Sequence, residues 1–213
     1  MSEAIALIDM GSGNLHSVHN ALLAAGAERV TITADPDLVR GARRIVLPGV
    51  GAFAACAQAL RAIDGMVEAL EERVLNGGVP FLGVCVGMQL LATRGLEHGE
   101  TPGLGWIAGE VRAIERTDPA IKVPHMGWND VEPASGHATD SSGAALIEPG
   151  EAYFLHSYHF QPEEPHTIAA MTDHGGGLVA AVEQDNIVGV QFHPEKSQAY
   201  GLALLARFLD WNP

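Results

Sequence analysis

The chain has 213 residues, 47% of them hydrophobic and 18% charged, which suits one well-buried domain and excludes a disordered segment. The formal net charge is −14, from 12 Lys+Arg against 26 Asp+Glu. With no basic stripe to track phosphates and no polybasic patch for an anionic bilayer, neither nucleic acid nor membrane is expected as a partner. No apolar run approaches the length of a membrane span, and "MSEAIALIDMGSGN" lacks the basic start and long apolar core of a secretory leader, so a cytoplasmic protein with reduced thiols is expected.

In chain order, "AIALID" (4–9) reads as a buried strand ending in a glycine turn at 11–13, after which Leu15, Val18 and Leu22 recur at helical spacing until Gly26. "RVTIT" (29–33) is a second strand, and Asp35-Pro36 opens a short helix. "RRIVLPG" (43–49) is a third strand; residues 52–75 are helical with a break near Asp64-Gly65. "VPFLGV" (79–84) is a fourth strand, and "CVGMQLLAT" leads into a helix. This strand–helix alternation predicts a mostly parallel sheet with flanking helices, an α/β fold. The second half differs. "WIAGEVRAI", "AALIE", "AYFLHSY", "HTIAAMT", "LVAAVEQ" and "IVGVQFH" are closely spaced strand candidates divided by Gly, Pro and Asp, so antiparallel strands are expected there. "EPASGHATDSSG" (132–143) reads as an exposed loop, and a last amphipathic helix carries Leu202, Leu205, Phe208 and Leu209. With no linker or internal repeat, residues 1–213 read as a single domain.

Cys85 falls where the fourth strand gives way to a helix, inside the G-x-C-x-G run "GVCVG". Flanking glycines allow a sharp turn and leave room around the sulfur, as at a nucleophile elbow. A helix N-terminus favours the thiolate, and the N–H of Val86 is placed to stabilise an oxyanion. A buried structural cysteine fits the same pattern. A thiol nucleophile needs a base, and among 10 histidines His193 stands out in "VGVQFHPEKS", with Pro194 breaking the strand and Glu195 following. His and Glu two apart at a strand end can point the same way, the carboxylate orienting the imidazole. No metal site is expected: there is no C-x-x-C, and His16 and His19, though on one helix, have no third ligand nearby. A P-loop and a full dinucleotide fingerprint are also absent, so no cofactor is expected.

"PGVGAF", "GVCVGMQLL" and "QFHPEKS" together resemble the class I glutamine amidotransferases, a flavodoxin-like α/β family with a Cys–His–Glu triad. "IDMGSGNLHSV", "VPHMGWN" (123–129) and "YFLHSYHF" (153–160) resemble, more particularly, the branch that serves as glutaminase subunit of imidazole glycerol phosphate synthase in histidine biosynthesis. The resemblance implies Cys85 as nucleophile, His193 as base and Glu195 as its orienter, hydrolysing L-glutamine through a thioester. It implies an oxyanion hole from the backbone near Val50 and Gly51 together with Val86, and glutamine-binding roles for Gln89, Glu97 and Ser157. It further implies a heterodimer with a cyclase subunit that receives the ammonia, with Asn14, Met126, Trp128 and Lys196 facing that partner. Core packing is the alternative reading for Trp128. Two positions depart from the family: Val86 stands where leucine is more usual and Met10 where tyrosine is frequent. The rival readings are an amidotransferase serving another synthase, a free-standing thiol hydrolase, and a catalytically silent scaffold.

Overall fold

The structure, a computed structural model, describes residues 4–116, 118–119, 121–134 and 142–213. Most of the polar stretch expected as an exposed loop, residues 135–141, lies outside them. The first half follows the expected alternation. Strand β1 (Ala4–Ile8) leads to α1 (Leu15–Ala24), β2 (Arg29–Thr33) to α2 (Pro36–Arg40), and β3 (Arg44–Gly49) to α3 (Phe53–Ala62) and α4 (Met66–Glu71). The short helix α2 starts where Asp35 accepts a hydrogen bond from the Asp37 N–H (2.9 Å), with Pro36 at the first helical position. The break between α3 and α4 falls at the expected Gly65, whose φ of 75° a side chain would resist. Next comes β4 (Phe81–Cys85), then α5 (Val86–Gln89). This helix is a single turn, shorter than "CVGMQLLAT" suggests, because Leu90–Ala92 turn back to hydrogen-bond with residues 104–107.

The second half is strand-rich, as expected. It runs β5 (Arg94–Gly95), β6 (Thr101–Pro102), β7 (Gly109–Ala113), β8 (His125–Pro133), β9 (Gly150–His156), β10 (Tyr158–Pro162), β11 (Ile168–Asp173), β12 (Gly177–Gln184) and β13 (Ile187–Val190), closing with α6 (Gln198–Asp210). Two readings need correction. "AALIE" is not a strand: residues Gly143–Leu146 form a 3-10 turn whose Ala144 N–H is held by the Glu183 carboxylate (2.7 Å). "AYFLHSY" is two strands, β9 and β10, that meet at Ser157 and join different sheets.

A nine-stranded sheet has the order β2-β1-β3-β4-β13-β12-β11-β8-β9. The five strands from β2 to β13 are parallel; the other four add on antiparallel. Strands β3, β4 and β13 are buried at every position, the pattern of a sheet covered on both faces. Helix α1 packs against α6, while α2 and α3 pack against α4. A four-stranded sheet, β10-β7-β5-β6, sits beside the main one. The neighbouring strands β3, β4 and β13 all end on one edge, where loops after parallel strands build sites. The β3–β4 register sets Gly49 opposite Cys85, and this brings residues 49–51 next to the cysteine.

Candidate active site

Cys85 ends β4 with φ 55° and ψ −112°, a strained backbone that a non-glycine residue keeps only when its surroundings impose it. The flanking glycines impose it by close packing. A Cβ on Gly83 would press on the Gly87 backbone, and one on Gly87 would collide with the Leu47 carbonyl of β3. The chain can therefore reverse over β3 and present the sulfur at the strand end, the geometry of a nucleophile elbow.

His193 lies three residues beyond β13, at the start of a 3-10 turn (Pro194–Lys196), so the pair is not carried by strand alternation as the sequence suggests. The turn brings Glu195 Oε1 to 2.9 Å from His193 Nδ1, with both side chains almost wholly buried. The main chain of His193 is clamped: its N–H donates to the Tyr153 carbonyl (2.9 Å) and its carbonyl accepts from Ser197 Oγ (2.7 Å). Ser197 Oγ in turn accepts from the Tyr153 N–H (2.9 Å). Burial pushes the His193 imidazole down, but hydrogen bonds to Cys85 and Glu195 and their charges outweigh it and lift it to about 9. At neutral pH it carries a proton between a sulfur and a carboxylate.

Cys85, His193 and most of the expected site residues line one cleft of about 150 Å³: Val50, Gly51, Val86, Gln89, Glu97 and Ser157 are all on its wall. A larger hollow of about 820 Å³ opens beside Lys122, Met126 and His174, away from both cysteines. Gly51 has φ 99°, open to glycine, which lets the 49–51 loop bend over Cys85. Glu97 reaches the cleft while one of its oxygens accepts from the Phe53 N–H (2.6 Å), capping α3 where Ala52 cannot. The Ser157 carbonyl accepts from the Ile114 N–H (2.9 Å), which ties this part of the cleft wall to the end of β7.

Gln89 is more constrained than its residue type suggests. Its Nε2 donates to the Tyr158 carbonyl and to Gln191 Oε1, both at 3.0 Å. Both amide hydrogens are used, and only Oε1 is left to accept from a ligand. The same Tyr158 carbonyl faces His156 Nδ1 (2.9 Å), which must therefore be the donor. His156 Nε2 then accepts from His125 Nδ1 (3.0 Å), and His125 Nε2 from Asn129 Nδ2 (3.0 Å), so the geometry fixes the tautomer of both buried imidazoles. Burial, reinforced by neighbouring histidines, lowers His125 to about 4 and His156 to about 3, so both are neutral.

The other cysteine is a core residue. Cys56 is buried on α3, its thiol donates to the Val50 carbonyl (3.4 Å), and burial pushes it up, away from the thiolate. Met10 is buried beneath Gly49, where it fills the space below the glycine turn. His16 and His19 gather no ligand set, and no cluster of three or more metal-binding side chains exists among the described residues.

The expected partner-facing residues lie on β8, on the Pro194–Lys196 turn and at the start of α1. Met126 and Trp128 are 65% and 46% exposed, which rules out core packing for Trp128. The β8–β9 register pairs Met126 with Leu155 and Trp128 with Tyr153, so four large side chains share one face. Lys196 sits with its ammonium 5.8 Å above the Tyr153 ring and also lines the cleft. Asn14 is exposed at the start of α1, apart from this face in the chain. Leu155, Tyr153, Gln191 and Ser197 escape sequence reasoning. The first two are found only through the cross-strand register, the others only through side-chain contacts.

A strand-end cysteine, a carboxylate-paired histidine and a glycine loop on an α/β sheet are the parts of an acyl-transfer site, and the comparisons give the family that holds them. The family model for class-I glutamine amidotransferases matches residues 6–211, and the chain belongs to that family. A solved glutamine amidotransferase shares the fold, with a TM-score of 0.73 at 19% identity and 97% of each chain covered. At sequence level the chain is 61% identical to the imidazole glycerol phosphate synthase subunit HisH of Zymomonas mobilis, over 100% of this chain and 98% of that protein. It is 55% identical to the subunit of the same name from Rhodospirillum rubrum, over 98% and 99%.

Proposed function

We infer that the chain is the glutaminase subunit of imidazole glycerol phosphate synthase, hydrolysing glutamine at Cys85 and passing ammonia to a cyclase subunit. One observation carries the site assignment: Cys85, the Glu195-paired His193 and the 49–51 loop converge on a single cleft. The Cys85 thiolate attacks the side-chain amide carbon of glutamine. The N–H of Val86 and the backbone of Val50 and Gly51 hold the resulting oxyanion. His193 is already protonated, so it gives its proton to the departing ammonia. The neutral imidazole then takes a proton from water, which attacks the thioester and frees glutamate. Glu195 fixes the imidazole and balances its charge throughout. Gln89 Oε1 and the free oxygen of Glu97 both accept, which suits the substrate ammonium.

Ammonia is useful only if it reaches its acceptor before it escapes to water. The apolar face of Met126, Leu155, Trp128 and Tyr153 borders the cleft through Leu155 and Lys196, and it is the docking surface for the cyclase. The cyclase uses the ammonia to make imidazole glycerol phosphate and aminoimidazole carboxamide ribotide. The chain acts as one domain, in the cytoplasm; no described helix is long and apolar enough to cross a membrane. The test is glutamine labelled with 15N in its amide, turned over with the cyclase subunit and excess unlabelled ammonium. Label in the imidazole ring of the product supports direct transfer. Label found only in free ammonium would show a hydrolase that serves no attached synthase.

A further inference from the structure

Gln191 lies between β13 and the His193 turn, and its side chain is fully buried. Its Nε2 is 3.8 Å from Cys85 Sγ, within the longer reach of a bond to sulfur, and its Oε1 is 3.0 Å from Gln89 Nε2. The orientation of this amide follows from the network. The Tyr158 carbonyl can only accept, so the amide group of Gln89 turns its nitrogen toward it. The second hydrogen of that nitrogen points at Gln191, so Gln191 turns its oxygen to Gln89 and its nitrogen to the sulfur. One backbone carbonyl thereby fixes two side chains in series.

We propose that Gln191 is a further catalytic residue, whose amide N–H donates to the Cys85 sulfur and stabilises it as the thiolate in the free enzyme and again as it leaves the thioester. A donor aimed at a buried anion is strongest where water is excluded, and Gln191 has no solvent exposure. Its donor is neutral and stays in place through the cycle, whereas His193 gives its proton away. The chain Tyr158 carbonyl–Gln89–Gln191–Cys85 also joins the wall that contacts glutamine to the atom that attacks it.

This inference rests on Cys85 being the nucleophile, and one experiment separates the two ideas. Alkylation of Cys85 by iodoacetamide is followed across pH in the full-length chain, with the labelled peptide identified by mass spectrometry and glutamine hydrolysis assayed in parallel. In Gln191→Met, which keeps the length but removes the donor, the alkylation midpoint should rise by about one pH unit. Gln191→Asn keeps the amide but falls one methylene short of the sulfur; it should raise the midpoint too, and it carries the test if the methionine variant does not fold. An unchanged midpoint in either variant that unfolds cooperatively overturns the role of Gln191 alone. Parent chain that is alkylated at Cys85 yet still hydrolyses glutamine overturns both ideas.

Discussion

The contrast between the two cysteines turns on what surrounds each sulfur. Cys56 donates to a backbone carbonyl and is held as a thiol by burial, whereas Cys85 faces His193 and Gln191 in a cleft. Cys85→Ala should therefore abolish glutamate release while Cys56→Ala retains most of it; the reverse pattern would reassign the nucleophile. Glu195→Gln keeps the shape but removes the charge that holds the His193 imidazole, and should lower kcat by about 10²- to 10⁴-fold with little change in fold. A kcat within twofold of the parent, measured with saturating glutamine, would remove Glu195 from the machinery. Cys85 and His193 stand out as candidates in the sequence because glycine and proline punctuate the chain beside them, and their triad roles with Glu195 come from the family resemblance. Gln191 was not, because a buried amide acquires its role from partners distant in sequence.

At the scale of elements, the elbow depends on two glycines that face backbone. Gly87→Ala would drive a methyl group into the Leu47 carbonyl and should cost more than about 3 kcal/mol, read as a large loss of urea midpoint or of soluble protein. A fully stable Gly87→Ala variant would contradict the packing of β4 on β3. Strands with clear apolar runs, such as β1 and β4, could be read from the sequence. Strand β8 could not: its exposed face carries Met126 and Trp128, its other face His125 and Asn129, and a polar inner face breaks the usual alternation. That inner face gives the fold a pH signature. His125 and His156 are neutral when folded but bind protons below about 6.5 once unfolded, so stability falls as pH drops from there toward about 4 and about 3. His193 acts in the opposite sense: its contribution is complete below about 6.5 and is lost as pH rises through about 9. Thermal midpoints should peak near pH 6.5, and His156→Gln should flatten the acid side. A midpoint that climbs steadily to pH 9 contradicts this.

For the whole molecule, the parallel half was legible because short strand-like runs alternate with helical stretches, such as β1 with α1 and β3 with α3 and α4. The placement of the antiparallel half was not, since pairing order depends on contacts between distant segments. The apolar face proposed for docking has the same origin: Leu155 and Tyr153 join Met126 and Trp128 only through the β8–β9 register. Trp128→Ala should weaken cyclase binding by about tenfold or more and leave folding intact. Lys196→Ala should reduce the coupling of glutamine hydrolysis to the cyclase more than it reduces stability. Unchanged affinity and coupling, by calorimetry and by paired rate measurements, would remove these residues from the interface.

Glutamine hydrolysis by such a subunit should be governed by its synthase. The most direct test is glutamate release by the purified chain, alone and then with the cyclase subunit and its nucleotide substrate. Slow release is expected from the chain alone, with a rise of at least about tenfold in the complete mixture, all of it lost in Cys85→Ala. Equal release under both conditions, or release that survives Cys85→Ala, would contradict it.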